Sequence, residues 1–472
     1  MTQLTSRDLW SLTFVGDPDV SSSGQEVAWV ETTINAKSNH YESSIHIARK
    51  IGDSFGAPAR LTYGKRPDGD GSLDRSPRFS PQGSHLAFLS NRSGKTQLWV
   101  IDIRKGGEAR QLTNWDDSVS QIQWSPDGRY LAFVSKDQKP KTELKEGEIA
   151  TGRDVTVVTR LRYKMNGVPG TVDPRPNNIY VVSVEDGCVR KLTDGDFDDA
   201  GPTFSPDGKT LAFTSCRKPD CEMRLIPDLW TVPLEGGEPK RLTSGKDPVH
   251  APVYSPDGKS IAFFGHEKGD ESVVNVEVLV IPAEGGEARH FWGDFDRSIG
   301  CGIGSDARAD AGRPGPYWSS DSKYVYFLAS DAGHSAIYRI ASDGVGVDMV
   351  GGASPRSMEA CPKYPPCLVS LGIADPGNGS VTFAFNGGSP LSPGDIYAIT
   401  VPGDTCHAAG DACPLQQITK VNKDVLSNRP LSQPEPFTFK SSDGLVLDGW
   451  MMKPIDFEQD KKYPAVLEIH GG

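Results

Sequence analysis

One phrase recurs along this chain and limits its fold more than any other feature. It reads Pro77-Arg-Phe-Ser-Pro-Gln-Gly83, Gln123-Trp-Ser-Pro-Asp-Gly128, Pro202-Thr-Phe-Ser-Pro-Asp-Gly208 and Pro252-Val-Tyr-Ser-Pro-Asp-Gly258. Weaker copies stand at Val20-Ser-Ser-Ser-Gly24 and Pro316-Tyr-Trp-Ser-Ser-Asp321. Ser80, Ser125, Ser205 and Ser255 are 45, 80 and 50 residues apart. A period near ~45 residues with one long insertion is that of a propeller blade. The phrase is a turn by its chemistry: Pro presets φ, Asp caps locally, and Gly accepts positive φ. Its Asp residues are therefore structural, not ligand-binding.

The residues after each turn form a short strand: Leu86-Ala-Phe-Leu-Ser90, Leu131-Ala-Phe-Val-Ser135, Leu211-Ala-Phe-Thr-Ser215 and Ile261-Ala-Phe-Phe264. The small Ala suits a crowded site where blades converge. A third strand follows (Gln97-Leu-Trp-Val-Ile-Asp102, Asn178-Ile-Tyr-Val-Val182, Asp228-Leu-Trp-Thr-Val232, Ala336-Ile-Tyr-Arg-Ile340). A Gly-Gly or Asp-Gly turn then leads to a fourth that ends in Leu-Thr, as at Thr113, Thr193 and Thr243. Four strands joined by hairpin turns make one blade. Seven units begin near residues 17, 74, 117, 198, 249, 313 and 370. The seventh has lost the turn phrase but keeps its strands. Six copies of one phrase argue against the alternative, a single large β-sandwich.

Composition supports a turn-rich, mainly β chain: 51 Gly and 36 Pro are spread through 472 residues, and mean hydropathy is −0.42. A formal net charge of −12 leaves no Lys/Arg stripe to release counterions, so nucleic acid is not an expected partner. Nor is a membrane, since no apolar run approaches the ~20 residues of a span. The first ten residues, Met1 to Trp10, lack the basic start and apolar stretch of a signal peptide, so the expected location is cytoplasmic. Of eight cysteines, six fall into close pairs: Cys216/Cys221, Cys361/Cys367 and Cys406/Cys413. Cys188 and Cys301 stand alone. The pairs are compatible with disulfides or with reduced thiols. None has the spacing of a zinc site, and no metal or cofactor is expected.

One blade is interrupted. Between the second and third strands of the third blade lie Lys136 to Pro176, including Val158-Thr-Arg-Leu-Arg-Tyr-Lys-Met-Asn-Gly167. Insertions this long in compact folds are usually functional or disordered. Arg160, Arg162 and Lys164 concentrate positive charge beside Tyr163 in an acidic protein. Arg160 and Arg162 are candidate substrate-binding residues, because a planar guanidinium suits a carboxylate or carbonyl. A solvated loop or a domain contact is the competing reading.

After Thr419 the repeat stops. A linker, Arg429-Pro-Leu-Ser-Gln-Pro-Glu-Pro436, passes into a hairpin, Phe437 to Pro454, turning at Ser442-Asp443-Gly444. Tyr463-Pro-Ala-Val-Leu-Glu-Ile469 then reads as a buried strand running into His470-Gly471-Gly472. A strand entering His-Gly-Gly is the oxyanion-loop pattern of α/β-hydrolases, in which glycine lets an amide N–H point at a developing oxyanion.

These features together resemble the prolyl oligopeptidase family of serine peptidases, in particular its acylaminoacyl-peptidase branch, over essentially the whole chain. The resemblance rests on the blade phrases, the 158–170 segment, the Ser-Ser-Asp-Gly hairpin and the final Tyr-Pro-Ala-Val-Leu-Glu-Ile-His-Gly-Gly. It implies an N-terminal segment (1–16) that packs on the hydrolase domain, a seven-bladed β-propeller (17–428), and a linker with the first strands of an α/β-hydrolase domain (429–472). It implies a propeller that admits peptides and not folded proteins, and a Gly472 amide in the oxyanion hole. It also implies a Ser-Asp-His triad after the oxyanion loop, beyond residue 472, so that this chain alone is inactive and its partner is the rest of the hydrolase domain. No Gly-x-Ser-x-Gly occurs; Gly333-His-Ser-Ala-Ile337 fails at its last position. No Glu-Glu pair of the dipeptidyl-peptidase kind occurs either, which favours acylated or unrestricted peptides. Self-association as a homo-oligomer is compatible with the sequence. The alternative function is a non-enzymatic TolB-like propeller that binds a protein partner; residues 437–472 speak against it.

Overall fold

The computed structural model describes residues 3–137, 158, 160–166, 170–224, 226–271, 274–290, 295–302, 313–344, 346–352, 364–403, 415–427 and 429–469. Each repeat forms one antiparallel sheet whose strands follow in chain order. The blades open with Phe14–Val20, Asp74–Phe79, Ser120–Trp124, Asp199–Phe204, Val249–Tyr254, Tyr317–Trp318 and Cys367–Ala374. Six sheets have four strands. In the first, Ser54–Phe55 and Ala59–Arg60 both pair with His40–Ile51.

The Leu-Ala-Phe strands are buried on both sides, because each blade has a neighbour on either face. Phe88, Phe133, Phe213 and Phe327 are wholly buried, as are Ala87, Ala132, Ala212 and Ala262. Side chains that alternate along a strand enter different clusters. Leu86 and Phe88 pack against blade 1, whereas Ala87 and Leu89 pack against blade 3. One apolar cluster fills each interface between neighbours, including that between blades 7 and 1. Burying one such Phe contributes ~1.5–3 kcal/mol.

The turn phrase does the same work in its four Asp-bearing copies. The Ser Oγ donates to the Asp carboxylate two residues on: Ser125 to Asp127 (2.7 Å), Ser205 to Asp207 (2.6 Å), Ser255 to Asp257 (2.7 Å) and Ser319 to Asp321 (2.7 Å). That Oγ also accepts the N–H five residues on, from Tyr130, Thr210, Ser260 and Tyr324. Gly128 and Gly208 both sit at φ +70, where a Cβ would strain the backbone. Successive turns touch: Ser22 Oγ donates to Pro81 O, Gln82 Nε2 to Asp127 O, and Asp257 N to Ser322 Oγ. They form a ring on one face of the propeller.

The Leu-Thr ending has an equally local cause. Its Thr Oγ1 accepts a backbone N–H of the third strand: Thr62 from Ile45, Thr113 from Leu98, Thr193 from Ile179, Thr243 from Leu229 and Thr419 from Ile396, all at 2.9–3.0 Å. Three of these hydroxyls donate onward, to Gln97 Oε1 (2.8 Å), Asp228 Oδ1 (2.7 Å) and Asp395 Oδ1 (2.7 Å).

Among the described residues blades 1 and 7 exchange no strand, and side chains close the ring. Gln416 is the outer fastener: its Oε1 accepts from Phe55 N (2.7 Å) and its Nε2 donates to Phe55 O (2.6 Å). Asn386 Nδ2 donates to Val15 O (2.8 Å) and Lys50 Nζ to Thr400 Oγ1 (2.9 Å). At the inner rim, bulges in the first strands of blades 1 to 5 place Asp17, Ser76, Gln121, Gly201 and Ala251 at positive φ. Asp17 meets Arg78 (2.9 Å) and Arg313 (3.6 Å), and Arg313 also reaches Asp19 (3.3 Å). Burial alone would raise the Asp17 pKa; the two guanidiniums outweigh it and hold it below the usual range.

Candidate functional site

The face opposite the ring of turns carries the links between second and third strands and the crossovers between blades. The chain leaves the propeller on this side. After the last blade, the Asn422 side chain bonds both the N–H and the C=O of Thr13 (2.8 Å each), where blade 1 begins. Arg429 then holds the N-terminal segment through Asp8 (2.7 Å) and Gln3 O (2.8 Å). Glu435–Lys440 pairs with Val446–Met451 around a turn with Gly444 at φ +90. Trp450 of this hairpin lies against Gly333, in the tight turn between the second and third strands of blade 6. A Cβ at Gly333 would stand 2.2 Å from the indole, so only glycine lets the ring approach. The expected hairpin is present, and it is seated on this face.

The segment Tyr463 to Ile469, expected to be a buried strand, is neither paired nor buried. It has no strand partner among the described residues, and Val466 is 97% and Leu467 82% exposed. A strand exists only beside a neighbour that takes its backbone hydrogen bonds. The hairpin is equally open: Phe437, Phe439, Leu447, Met451 and Met452 are all exposed.

The long insertion springs from the same face, between Tyr130–Lys136 and Asn177–Ser183. Its base is pinned. Arg175 pairs with Asp117 (2.7 Å) and Asp173, and Lys136 Nζ donates to Asp173 O (3.1 Å). The hydrogen bonds from Arg175 hold the Asp173 carboxyl down at about 2. Further out, Val172 N donates to Tyr163 O (2.8 Å). Arg160 pairs with Asp196 and Glu222, both on blade 4 connections, and Glu222 also accepts from Leu161 N (2.9 Å). Arg162 is exposed and makes no ion pair among the described residues. The structure thus separates the two candidates: Arg160 ties the arm to blade 4, and Arg162 points its charge outward. Leu161, Tyr163 and Met165 beside them are also exposed.

A cavity of about 290 Å³ opens nearby between blades 4 and 5, walled by Lys218, Arg224, Lys246, Asp270 and the Cys216–Cys221 disulfide. The bond joins Cα atoms 5.8 Å apart, within the usual range. Cys361, Cys406 and Cys413 lie outside the described residues. Cys301, which the sequence sets apart, is instead beside Cys367, with sulfurs 2.9 Å apart; a 66-residue separation hid that contact.

His470 and Gly472, the oxyanion-loop residues, also lie outside the described residues. Within them, sequence reasoning missed a partly buried Ser–His–carboxylate chain. Ser44 Oγ is 3.2 Å from His46 Nε2, and His46 Nδ1 is 3.3 Å from Glu31. The i, i+2 spacing puts Ser44 and His46 on one face of a strand, and Glu31 is the register partner of Ser44. The set is a poor catalyst. Burial, with the Arg60 charge behind it, lowers the His46 pKa to about 4, too low for an effective base near neutrality. Ser44 is itself buried.

Comparison with known proteins bears on the fold and its lineage. Residues 172–282 match the family model "TolB beta propeller domain". A TolB homologue of Chlorobium chlorochromatii is 32% identical over 151 residues, covering 29% of this chain and 32% of that protein. An uncharacterised peptidase of Bacillus subtilis, YuxL, is 31% identical over 470 residues. That alignment takes in 99% of this chain, blades and post-propeller hairpin together, and 66% of YuxL. The chain belongs to the prolyl oligopeptidase family. In three dimensions it overlays the acylaminoacyl peptidase of Pyrococcus horikoshii with a TM-score of 0.67 at 18% identity, over 98% of this chain and 61% of that one. The fold of this family member is a seven-bladed propeller followed by the first strands of an α/β-hydrolase domain. The chain spans about two-thirds of the length of the peptidases it matches. No helix among the described residues is long and apolar enough to cross a membrane.

Proposed function

We propose that this chain is the propeller and the start of the catalytic domain of a serine peptidase acting on short peptides, acylaminoacyl peptides among them. The observation that carries the reading is the post-propeller hairpin seated by Trp450 on Gly333, with an open apolar surface beyond it. A propeller that only bound a protein partner would have no use for that element. In this reading the Gly472 amide donates to the oxyanion, and Ser, Asp and His of a triad are supplied by the part of the protein that follows. The Ser attacks the scissile carbonyl as His takes its proton, and His returns a proton to the leaving amine. The propeller restricts access to peptides, its inner rim braced by Asp17, Arg78 and Arg313. Arg162 receives a substrate carbonyl or carboxylate.

The test is fluorophosphonate labelling, with assay of acetylated and free-amine peptides, on residues 1–472 and on the protein extended to the length of its relatives. The extended protein is expected to label and hydrolyse, and residues 1–472 to do neither. A stoichiometric adduct on residues 1–472, or an extended protein that neither labels nor hydrolyses, would end the proposal.

A further inference from the structure

Cys301 and Cys367 flank blade 6. Cys301 lies in the crossover arriving from blade 5, and Cys367 opens the first strand of blade 7. All four strands of blade 6, from Tyr317–Trp318 to Val347–Gly352, lie between them. Their sulfurs are nonetheless 2.9 Å apart, and the backbone imposes this approach.

On the Cys301 side, Gly300 N donates to Leu328 O (2.8 Å), Gly302 N to Ser330 Oγ (2.6 Å), and Ile299 bridges Ala329. On the Cys367 side, Ser335 N donates to Pro366 O (2.9 Å) and Ser335 Oγ to Leu368 O (3.0 Å). Leu328 to Ser330 and Ser335 lie on the two strands of one hairpin, Tyr324–Asp331 and His334–Ala341. Each cysteine is therefore clamped to one arm of the hairpin whose turn carries Gly333 beneath Trp450. The Cys216–Cys221 bond sits in a second-to-third-strand connection of the same face.

We propose that Cys301 and Cys367 form a redox-closed staple around blade 6. A small-molecule disulfide of the glutathione type is the oxidant. One cysteine loses its proton and attacks the oxidant, whose S–S bond breaks and releases one thiol. The second, also deprotonated, attacks the mixed disulfide, forms the Cys301–Cys367 bond and releases the other thiol. Two electrons and two protons pass from the protein to the oxidant. The closed bond restrains a long loop of the unfolded chain and fixes the turn on which the post-propeller hairpin rests.

The experiment treats residues 1–472 with oxidised glutathione, alkylates the remaining thiols, digests without reduction and maps the peptides by mass spectrometry. A Cys301–Cys367 linked pair, two hydrogens lighter than its separate peptides, is expected. The oxidised protein should melt roughly 5 °C above the reduced one. Cys216→Ser, which has no Cys216–Cys221 bond to reduce, should retain that difference, and Cys301→Ser in the Cys216→Ser background should abolish it. Cys361 bonded to either partner, both thiols alkylated or left as glutathione adducts, or a melting difference that survives Cys301→Ser in that background would overturn the proposal. Should Cys301→Ser fail to fold, the peptide map of the unsubstituted chain decides alone.

Discussion

Thr243 shows what a single side chain contributes here. Its Oγ1 donates to buried Asp228 and accepts from Leu229 N, while Arg241 completes the carboxylate's surroundings at 3.0 Å. Thr243→Val keeps the shape and removes both bonds. It should cost about 1–3 kcal/mol, the cost of leaving buried polar groups unsatisfied, read as a lower urea midpoint at unchanged slope. His46 supplies a pH dependence with a definite sign. Its folded pKa, about 4, lies below the ordinary histidine value of 6.5, so the unfolded chain binds its proton first. The stability this confers is present above pH 6.5 and is lost as pH falls toward 4. Its ceiling is ~3 kcal/mol. His46→Gln should flatten that part of the stability curve relative to the parent; identical curves between pH 6.5 and 4 would refute the assignment.

At the scale of elements, the turn phrase and the Leu-Thr ending were legible because each is satisfied by bonds within one blade. The inserted arm was legible only as a break in the period. Its residues bond to other elements, such as Arg175 to Asp117 and Arg160 to Asp196 and Glu222, and no local spacing records those partners. The two arginines therefore predict different outcomes in the extended enzyme. Arg160→Ala breaks a partly exposed ion pair and should cost only ~0.2–1 kcal/mol, seen in melting temperature with KM little changed. Arg162→Ala should raise KM several-fold with melting temperature unmoved. An unchanged KM in Arg162→Ala would remove it from the substrate site.

For the whole molecule, the seam between blades 7 and 1 is closed, among the described residues, by side chains. Gln416→Ala leaves the backbone of Phe55 without its reciprocal partner and should cost about 1–2 kcal/mol. Because the two blades share no strand, the loss should appear as faster amide exchange localised to blades 1 and 7. Phe133→Ala, inside the ring, should instead cost ~3–5 kcal/mol and lower the main transition. Exchange that rises evenly across all seven blades in Gln416→Ala would show that the seam is not a separate point of opening.

The sequence by itself determined the blade, the number of blades and the hairpin that follows them. Those features rest on contacts within one turn or one blade: Ser125 to Asp127, Thr113 to Leu98 N, the turn at Gly444. Tertiary structure decided what lies side by side across the ring. It paired Cys301 with Cys367 and Gln416 with Phe55, assembled the Ser44–His46–Glu31 chain, and seated Trp450 on Gly333. It also left Tyr463 to Ile469 unpaired where an apolar run reads as a buried strand. Hydrophobicity marks a segment for burial, but a strand takes its place only from the neighbour that completes its hydrogen bonds.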